Sequence, residues 1–147
     1  MKRIMFIILG VVMLAACSDD VAEERPTVSF IEESVSFLDF TIDFKEAKIK
    51  DGVLYLKTLY QNDSYPEEWS FMASATLQPE QNGEVLDELS GVEADPKGSY
   101  YYKVSKGTNA PVEFEYNLLS EDEDIVMKIV PTDFENEETK EIIITLN

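Results

Sequence analysis

The sequence predicts an all-β protein, an antiparallel sandwich of two sheets with about 7–9 strands. Three observations support this fold class. Apolar and polar residues alternate along several segments, as half-buried strands require. Turn residues separate these segments roughly every ten positions. No long segment has the 3.6-residue period of an amphipathic helix. An up-and-down barrel is the alternative arrangement.

The first half of the predicted domain contains four strands. The first begins at Ser36, and its alternating apolar residues are Leu38, Phe40, Ile42 and Phe44. Further strands are predicted at 53–60 and 69–77, with a short one through Val85 and Leu86. Asp51-Gly52 and Asn82-Gly83 predict tight turns, because these residues tolerate positive φ. Residues 61–68 form a polar loop that holds Tyr65.

The second half continues the pattern after a crossing loop at 90–99. Strands are predicted at 100–104, 112–118, 125–130 and 142–146, and Pro131 ends the third of these. Lys106-Gly107 marks a turn. The acidic run 121–124 is interpreted as a hairpin tip whose charges discourage edge pairing.

The N-terminus has the three parts of a secretory leader. Lys2 and Arg3 precede an apolar stretch over 4–12, and small residues follow at Ala15 and Ala16. The apolar stretch is shorter than the roughly 20 residues of a membrane-spanning helix. We therefore expect residues 1–16 to be a signal peptide that is cleaved between Ala16 and Cys17.

Leu14-Ala15-Ala16-Cys17 resembles the lipobox of bacterial lipoproteins, in which the cysteine is lipidated and becomes the mature N-terminus. Cys17 is the only cysteine, so an intrachain disulfide is excluded. A diacylglyceryl group on Cys17 would supply two acyl chains, enough for stable anchoring. We expect residues 17–35 to be the lipidated cysteine and an acidic tether, and residues 36–147 to be the sandwich domain on the extracytoplasmic surface.

The charge of the chain restricts its partners. Cleavage before Cys17 removes Lys2 and Arg3 and no acidic residue, so the formal charge changes from −18 to −20. Such a chain would repel nucleic acid, and it favours a basic envelope or extracellular protein. The sequence has no histidine, which excludes a Ser-His-Asp triad and a histidine zinc site. We expect neither an enzyme nor a cofactor.

The candidate binding residues are aromatic, since tyrosine and tryptophan anchor protein partners and also stack on sugars. Tyr65, Trp69 and Tyr101 are the first candidates, with Tyr101 expected to point away from Tyr100 and Tyr102 along a strand. Acidic residues that could contribute weakly to a calcium site are Asp122, Asp124, Asp133 and Glu135, although their spacing matches no known calcium loop.

Several segments resemble an immunoglobulin-like domain of unknown function found in lipoproteins of Firmicutes, whose fold is akin to a mycobacterial immunoprotective antigen. These are the apolar strand 54–62 that ends in asparagine, the strand 71–77 leading to Gln81-Asn82-Gly83 with Leu86 after it, the pair Lys106-Gly107, and the strand 112–118. Pro79-Glu80 departs from the family pattern. The resemblance implies an immunoglobulin-like fold and an envelope location, and it implies no activity. Cys17-Ser18-Asp19-Asp20 also resembles the surface-export signal of Bacteroidota lipoproteins, so both origins stay open.

Together these features predict a lipid-anchored, non-enzymatic protein-binding module of the cell envelope, with an immunity or exclusion lipoprotein as one form. A carbohydrate- or cation-binding surface module is the alternative.

Overall fold

The computed structural model describes residues 27–89, 99–132 and 138–146. This part of the chain forms ten strands, one helical turn and one 3₁₀ turn, so the predicted all-β class is confirmed. The strands are β1 (Thr27–Ser36), β2 (Phe40–Lys50), β3 (Val53–Asn62), β4 (Trp69–Ser70), β5 (Ala75–Gln81), β6 (Glu84–Val85), β7 (Lys103–Val104), β8 (Asn109–Asn117), β9 (Ile125–Pro131) and β10 (Lys140–Ile144). Helix α1 spans Phe71–Ser74, and the 3₁₀ turn spans Ser99–Tyr101.

Two four-stranded antiparallel sheets form the sandwich. The first has the strand order β1-β2-β3-β8, and the second has β10-β9-β5-β6. Strands β4 and β7 make a separate pair. An immunoglobulin constant domain has sheets ABED and CFG. Here β2, β3 and β8 take the places of A, B and E, while β5, β9 and β10 take those of C, F and G. Strand β1 is an addition at the edge of the first sheet.

Two hairpin turns are two-residue loops with both central residues at positive φ. Asp51 and Gly52 have φ of 55° and 73° between β2 and β3, and Asn82 and Gly83 have φ of 52° and 81° between β5 and β6. This backbone matches the right-handed twist of the flanking strands. Both predicted turns are therefore confirmed, and they fix the register of their hairpins.

The core lies between the two sheets and is filled by the inward-facing residues of the alternating strands. Phe40, Ile42 and Phe44 of β2 are fully buried, as the alternation predicts. Leu38 is 79% exposed, so its predicted place in this series is wrong. The amide of Phe37 donates to the carbonyl of Phe40, 2.8 Å away, in a turn that precedes β2. Phe37 instead turns inward, and its ring stacks on Phe40 at 4.6 Å.

The domain begins earlier than the predicted boundary at residue 36, because β1 pairs with β2 from Thr27 onward. The register shifts between Phe30 and Glu33, where two residues of β1 oppose Lys45 of β2. A bulge of this kind breaks the period of two. Ile31 and Val35 are both buried, and the bulge at Ile31 explains why the segment has no regular strand pattern. The tether predicted over 17–35 therefore overlaps β1, and residues 17–26 lie outside the described residues.

The single strand predicted over 69–77 is two strands joined by α1. Its alternation is interrupted because Phe71 and Ser74, three positions apart, are both buried. Ser74 Oγ donates to the carbonyl of Ser70 at 3.1 Å and lies 2.6 Å from the hydroxyl of Tyr60. This helical turn carries the chain from the β4–β7 pair into the second sheet.

The strands of both sheets run between two ends of the sandwich. We call one the aromatic end, formed by residues 37–39, 62–69 and 105–108, which backbone hydrogen bonds join. The other is the acidic end, formed by residues 51–52, 82–84, 118–124 and 145–146. Strand β2 has eleven residues and connects them, so the ends lie about 30 Å apart.

Candidate binding site at the aromatic end

A fully buried asparagine at the end of β3 organises the loop over residues 63–68. Asn62 Nδ2 donates to the carbonyl oxygens of Glu67 and Val104 at 3.1 and 3.0 Å. Its Oδ1 accepts from the amide of Tyr65 at 3.0 Å. A buried amide satisfied in this way fixes the backbone around it. The loop is therefore held in one conformation relative to β7.

A second set of hydrogen bonds ties the start of the same loop to the turn before β2. The amides of Asp63 and Ser64 donate to the carbonyl of Asp39 at 2.9 and 3.2 Å, and Ser64 Oγ donates to the Asp39 carboxylate. The Asp63 carboxylate accepts from Thr41 Oγ1 at 2.7 Å and from Gln61 Nε2 at 2.5 Å. Two carboxylates at this end thus serve as structural acceptors.

The organised loop brings the two predicted candidates Tyr65 and Trp69 into contact, so both can belong to one binding site. Their rings stack at 4.6 Å with an interplanar angle of 17°. Both side chains are half-buried. Trp69 is held in β4, which pairs in register with Val104 of β7. The indole N–H is buried, and within the described residues it has no hydrogen-bond partner. The pair is a fixed aromatic surface.

Exposed carboxylates border this aromatic pair. Pro66, Glu67 and Glu68 lie between the two rings in sequence and are exposed. Glu68 accepts from Ser105 Oγ at 3.3 Å, which orients one of its oxygens toward the neighbouring turn. The surface therefore combines two aromatic rings with local negative charge.

Tyr101, the third predicted candidate, lies elsewhere. It belongs to the 3₁₀ turn, and its ring contacts that of the buried Tyr100 at 5.0 Å. The strand predicted over 100–104 is reduced to Lys103 and Val104, so the expected alternation of the three tyrosines is wrong. Tyr102 is 58% exposed, whereas Tyr101 is half-buried against the core. A turn with three residues per repeat does not alternate as a strand does.

The acidic run 121–124 is a connection between the two sheets, and its interpretation as a hairpin tip is wrong, because β8 and β9 belong to different sheets. Glu121 Oε1 accepts from the amide of Gly52 at 2.8 Å, and Asp124 Oδ1 accepts from the amide of Leu146 at 3.1 Å. Glu123 accepts from Asn82 Nδ2. These carboxylates bind backbone and side-chain donors of the acidic end.

Of the four weak metal candidates, Asp122 and Asp124 lie in this connection, while Asp133 and Glu135 fall outside the described residues. Across the described ranges no three carboxylate or thiol side chains are grouped closely enough to hold a metal ion. Ala16 and Cys17 also lie outside those ranges, so the lipidation site stays a prediction.

A charged groove of about 560 Å³ lies on the outer face of the first sheet, where Lys45 is left out of the register between β2 and β3. Ser34 Oγ donates to Asp43 Oδ1 at 2.6 Å, and Lys45 Nζ lies 3.0 Å from Asp43 Oδ2. The hydrogen bond from Ser34 lowers the pKa of Asp43, and Lys45 adds to this effect against the opposing contribution of burial. Lys57 Nζ also lies 3.5 Å from Glu46 Oε1, so most charges that line the groove pair with one another.

Sequence reasoning identified Tyr65 and Trp69 but missed the residues that hold them. Asn62 and Asp39 have no distinctive motif, and their role depends on partners from β7 and from the turn before β2. The one available signal was the polar run after Asn62, whose Asp-Ser sequence favours a turn.

The structure defines the chain as an all-β sandwich with one organised aromatic loop. No family model matches the sequence, and no curated protein matches it. A solved structure of a conserved hypothetical protein from Bacillus anthracis is similar, with a TM-score of 0.50 at 12% identity, covering 80% of this chain and 97% of that one. This likeness concerns the fold alone. Within the described ranges, no helix has the length and apolar character needed to cross a membrane.

Proposed function

We propose that this chain is a lipid-anchored envelope lipoprotein whose sandwich is a non-enzymatic binding module for a basic protein. The observation that carries the binding role is the stacked Tyr65–Trp69 pair on a loop fixed by the buried Asn62. The anchoring role rests on the sequence around Cys17. An immunity or exclusion lipoprotein that neutralises a basic protein is one form of this function.

The aromatic end has the properties of a protein-binding centre. Tyrosine and tryptophan dominate interface energetics because they bury large apolar areas at low conformational cost. The fixed loop has already lost its conformational entropy, so a partner does not have to order it. Arginine or lysine side chains of a partner can stack over the rings and pair with Glu67 and Glu68. The overall negative charge would speed the approach of a basic protein, most strongly at low salt.

The anchor is tested by the substitution Cys17→Ala followed by membrane fractionation. We expect the variant to accumulate as an uncleaved precursor or as a soluble protein, because the thiol that carries the diacylglyceryl group is gone. A variant that is fully cleaved and still membrane-bound would refute the anchor.

The binding site is tested by two double charge reversals of equal size. Glu67→Lys/Glu68→Lys changes the aromatic end, and Glu84→Lys/Asp122→Lys makes the same net change at exposed positions of the acidic end. Each protein is cross-linked in its native envelope, and the captured proteins are identified by mass spectrometry at low and high salt. We expect one basic protein to be captured by the wild type and by the acidic-end variant, and to be lost from the aromatic-end variant.

The other outcomes separate the alternatives. Equal loss from both variants would show that capture follows net charge and would refute the site. Salt-independent binding of an envelope glycan that is lost in Trp69→Ala would replace the protein partner with a carbohydrate.

A further inference from the structure

The direction of β1 determines which end of the sandwich lies nearest the lipidated residue. Thr27 pairs with Ile49, beside the turn at Asp51 and Gly52, whereas Ser36 pairs with Thr41 at the opposite end. Strand β1 therefore begins at the acidic end and runs toward the aromatic end. The chain from Cys17 joins the domain at the acidic end.

The connection between Cys17 and this strand is short. Nine residues separate Cys17 from Thr27, and ten Cα–Cα steps reach at most about 35 Å when fully extended. A relaxed chain of that length has a root-mean-square span of about 18 Å. The relaxed span is shorter than the sandwich, and the extended reach is about equal to the length of the sandwich. The tether therefore keeps the acidic end near the membrane and leaves the aromatic end farther away.

The charge of the acidic end has a separate effect on this arrangement. Its exposed carboxylates include those of Asp51, Glu121 and Asp122. Anionic lipid repels such a surface over roughly one Debye length, about 8 Å at physiological salt. This repulsion would lift the domain and extend the tether. It also disfavours direct contact between the acidic end and the bilayer surface.

We infer that in the anchored protein the acidic end faces the membrane and the Tyr65–Trp69 surface faces away from it, so that the surface takes a partner from outside the bilayer. This inference rests on the proposed lipid anchor. It adds the direction of approach: a basic protein arriving from the extracytoplasmic side contacts Tyr65, while a neighbour embedded in the same leaflet meets the acidic end first.

Energy transfer from single labelled sites to acceptor lipids tests the orientation. Lys106→Cys labels the aromatic end, and Asp122→Cys labels the acidic end, both at exposed positions. In the mature lipoprotein the native thiol of Cys17 is occupied by lipid, so each variant has one reactive thiol. The full lipoprotein is placed in phosphatidylcholine vesicles that contain acceptor lipid. Since the two sites lie about 30 Å apart along the strands, we expect transfer from position 122 to exceed that from position 106 by at least about twofold.

The outcomes distinguish the orientation from the anchor. Equal transfer from the two sites, or stronger transfer from position 106, would overturn the orientation while the protein remains bound to vesicles. Failure of the wild-type protein to bind vesicles, with Cys17 recovered as a free thiol, would overturn the anchor and the inference with it. Lengthening the tether by ten residues should reduce transfer from both sites. Unchanged transfer would overturn the orientation, because the domain would then lie against the bilayer whatever the length of the tether.

Discussion

The two ends of the sandwich use the same structural device for different results. At the aromatic end the buried Asn62 binds three backbone groups of the following loop and of β7. At the acidic end the buried Gln81 binds four: Nε2 donates to the carbonyls of Ser120 and Glu123, and Oε1 accepts from the amides of Leu119 and Ser120. In each case one buried amide fixes a loop that has no regular secondary structure.

The loops differ in what they leave exposed. Glu121, Glu123 and Asp124 accept hydrogen bonds from residues of the acidic end, so these carboxylates hold that end together. The loop around Asn62 carries Tyr65 and Trp69 on its surface, with Glu67 and Glu68 exposed beside them. A fixed loop is thus a common way to close a sandwich, and the side chains that it displays distinguish a candidate binding surface from a structural connection.

The largest effect is expected from Asn62→Ala. The substitution removes three hydrogen bonds to buried or half-buried backbone groups, and the free energy of unfolding should fall by about 3 kcal/mol. The loop should detach, and the emission of Trp69 should move to longer wavelength. Trp69 is the only tryptophan, so its fluorescence reports on this end alone. Asn62→Asp keeps the acceptor for Tyr65 but loses both donated bonds, and it should be nearly as unstable. Unchanged Trp69 emission would show that Asn62 does not hold the loop.

Gln81→Ala should be destabilised by a similar amount, about 3 kcal/mol, because four hydrogen bonds to the connection between β8 and β9 are lost. In the folded variant the emission of Trp69 should match that of the wild type, since the changed loop lies at the other end. Urea unfolding followed by circular dichroism gives the stability, and fluorescence in the absence of urea gives the local environment. A shifted emission maximum in folded Gln81→Ala would show that the two ends are coupled, and the comparison between them would fail.

The sequence predicted features with a strong local pattern better than features that depend on contacts between distant residues. Turns with a strong local signal, such as Asn82-Gly83, were predicted correctly because their conformation depends on the residues themselves. Strand β1 was missed since its bulge at Ile31 disrupts the period of two. Tyr65 and Trp69 could be selected by residue type, but their stacking depends on Asn62, whose partners include Val104, distant in sequence. Tyr101 was misplaced because three consecutive tyrosines contain no apolar–polar alternation that would distinguish a strand from a 3₁₀ turn.

Tyr65→Ala should have a smaller effect on stability and a large effect on binding. Loss of the stacked ring is expected to cost about 1 kcal/mol, and it should change the near-ultraviolet circular dichroism of Trp69. The basic protein captured by the wild type should no longer be captured. Tyr102→Ala is the matched control, because Tyr102 is an exposed tyrosine outside the pair. If Tyr65→Ala and Tyr102→Ala lost capture equally, binding would depend on exposed aromatic side chains in general and not on the Tyr65–Trp69 pair.

The smallest effect is expected from Ser34→Ala, which changes the groove on the outer face of the first sheet. Ser34 donates to Asp43 and lowers the pKa of that carboxyl below its ordinary value of 3.8, so the variant should have a higher Asp43 pKa. A carboxyl with a lowered pKa stabilises the fold above its unfolded pKa, and this contribution disappears as the pH falls through the folded value. The variant should therefore be less stable than the wild type at neutral pH. The free energies of unfolding of the two proteins should converge below about pH 3.8. Carboxyl NMR titration measures the pKa, and Trp69 emission should stay constant because the groove is separate from the aromatic end. A shift in the Trp69 emission of Ser34→Ala would show that the groove and the loop around Asn62 are structurally coupled. Changes in the groove would then also change the aromatic surface.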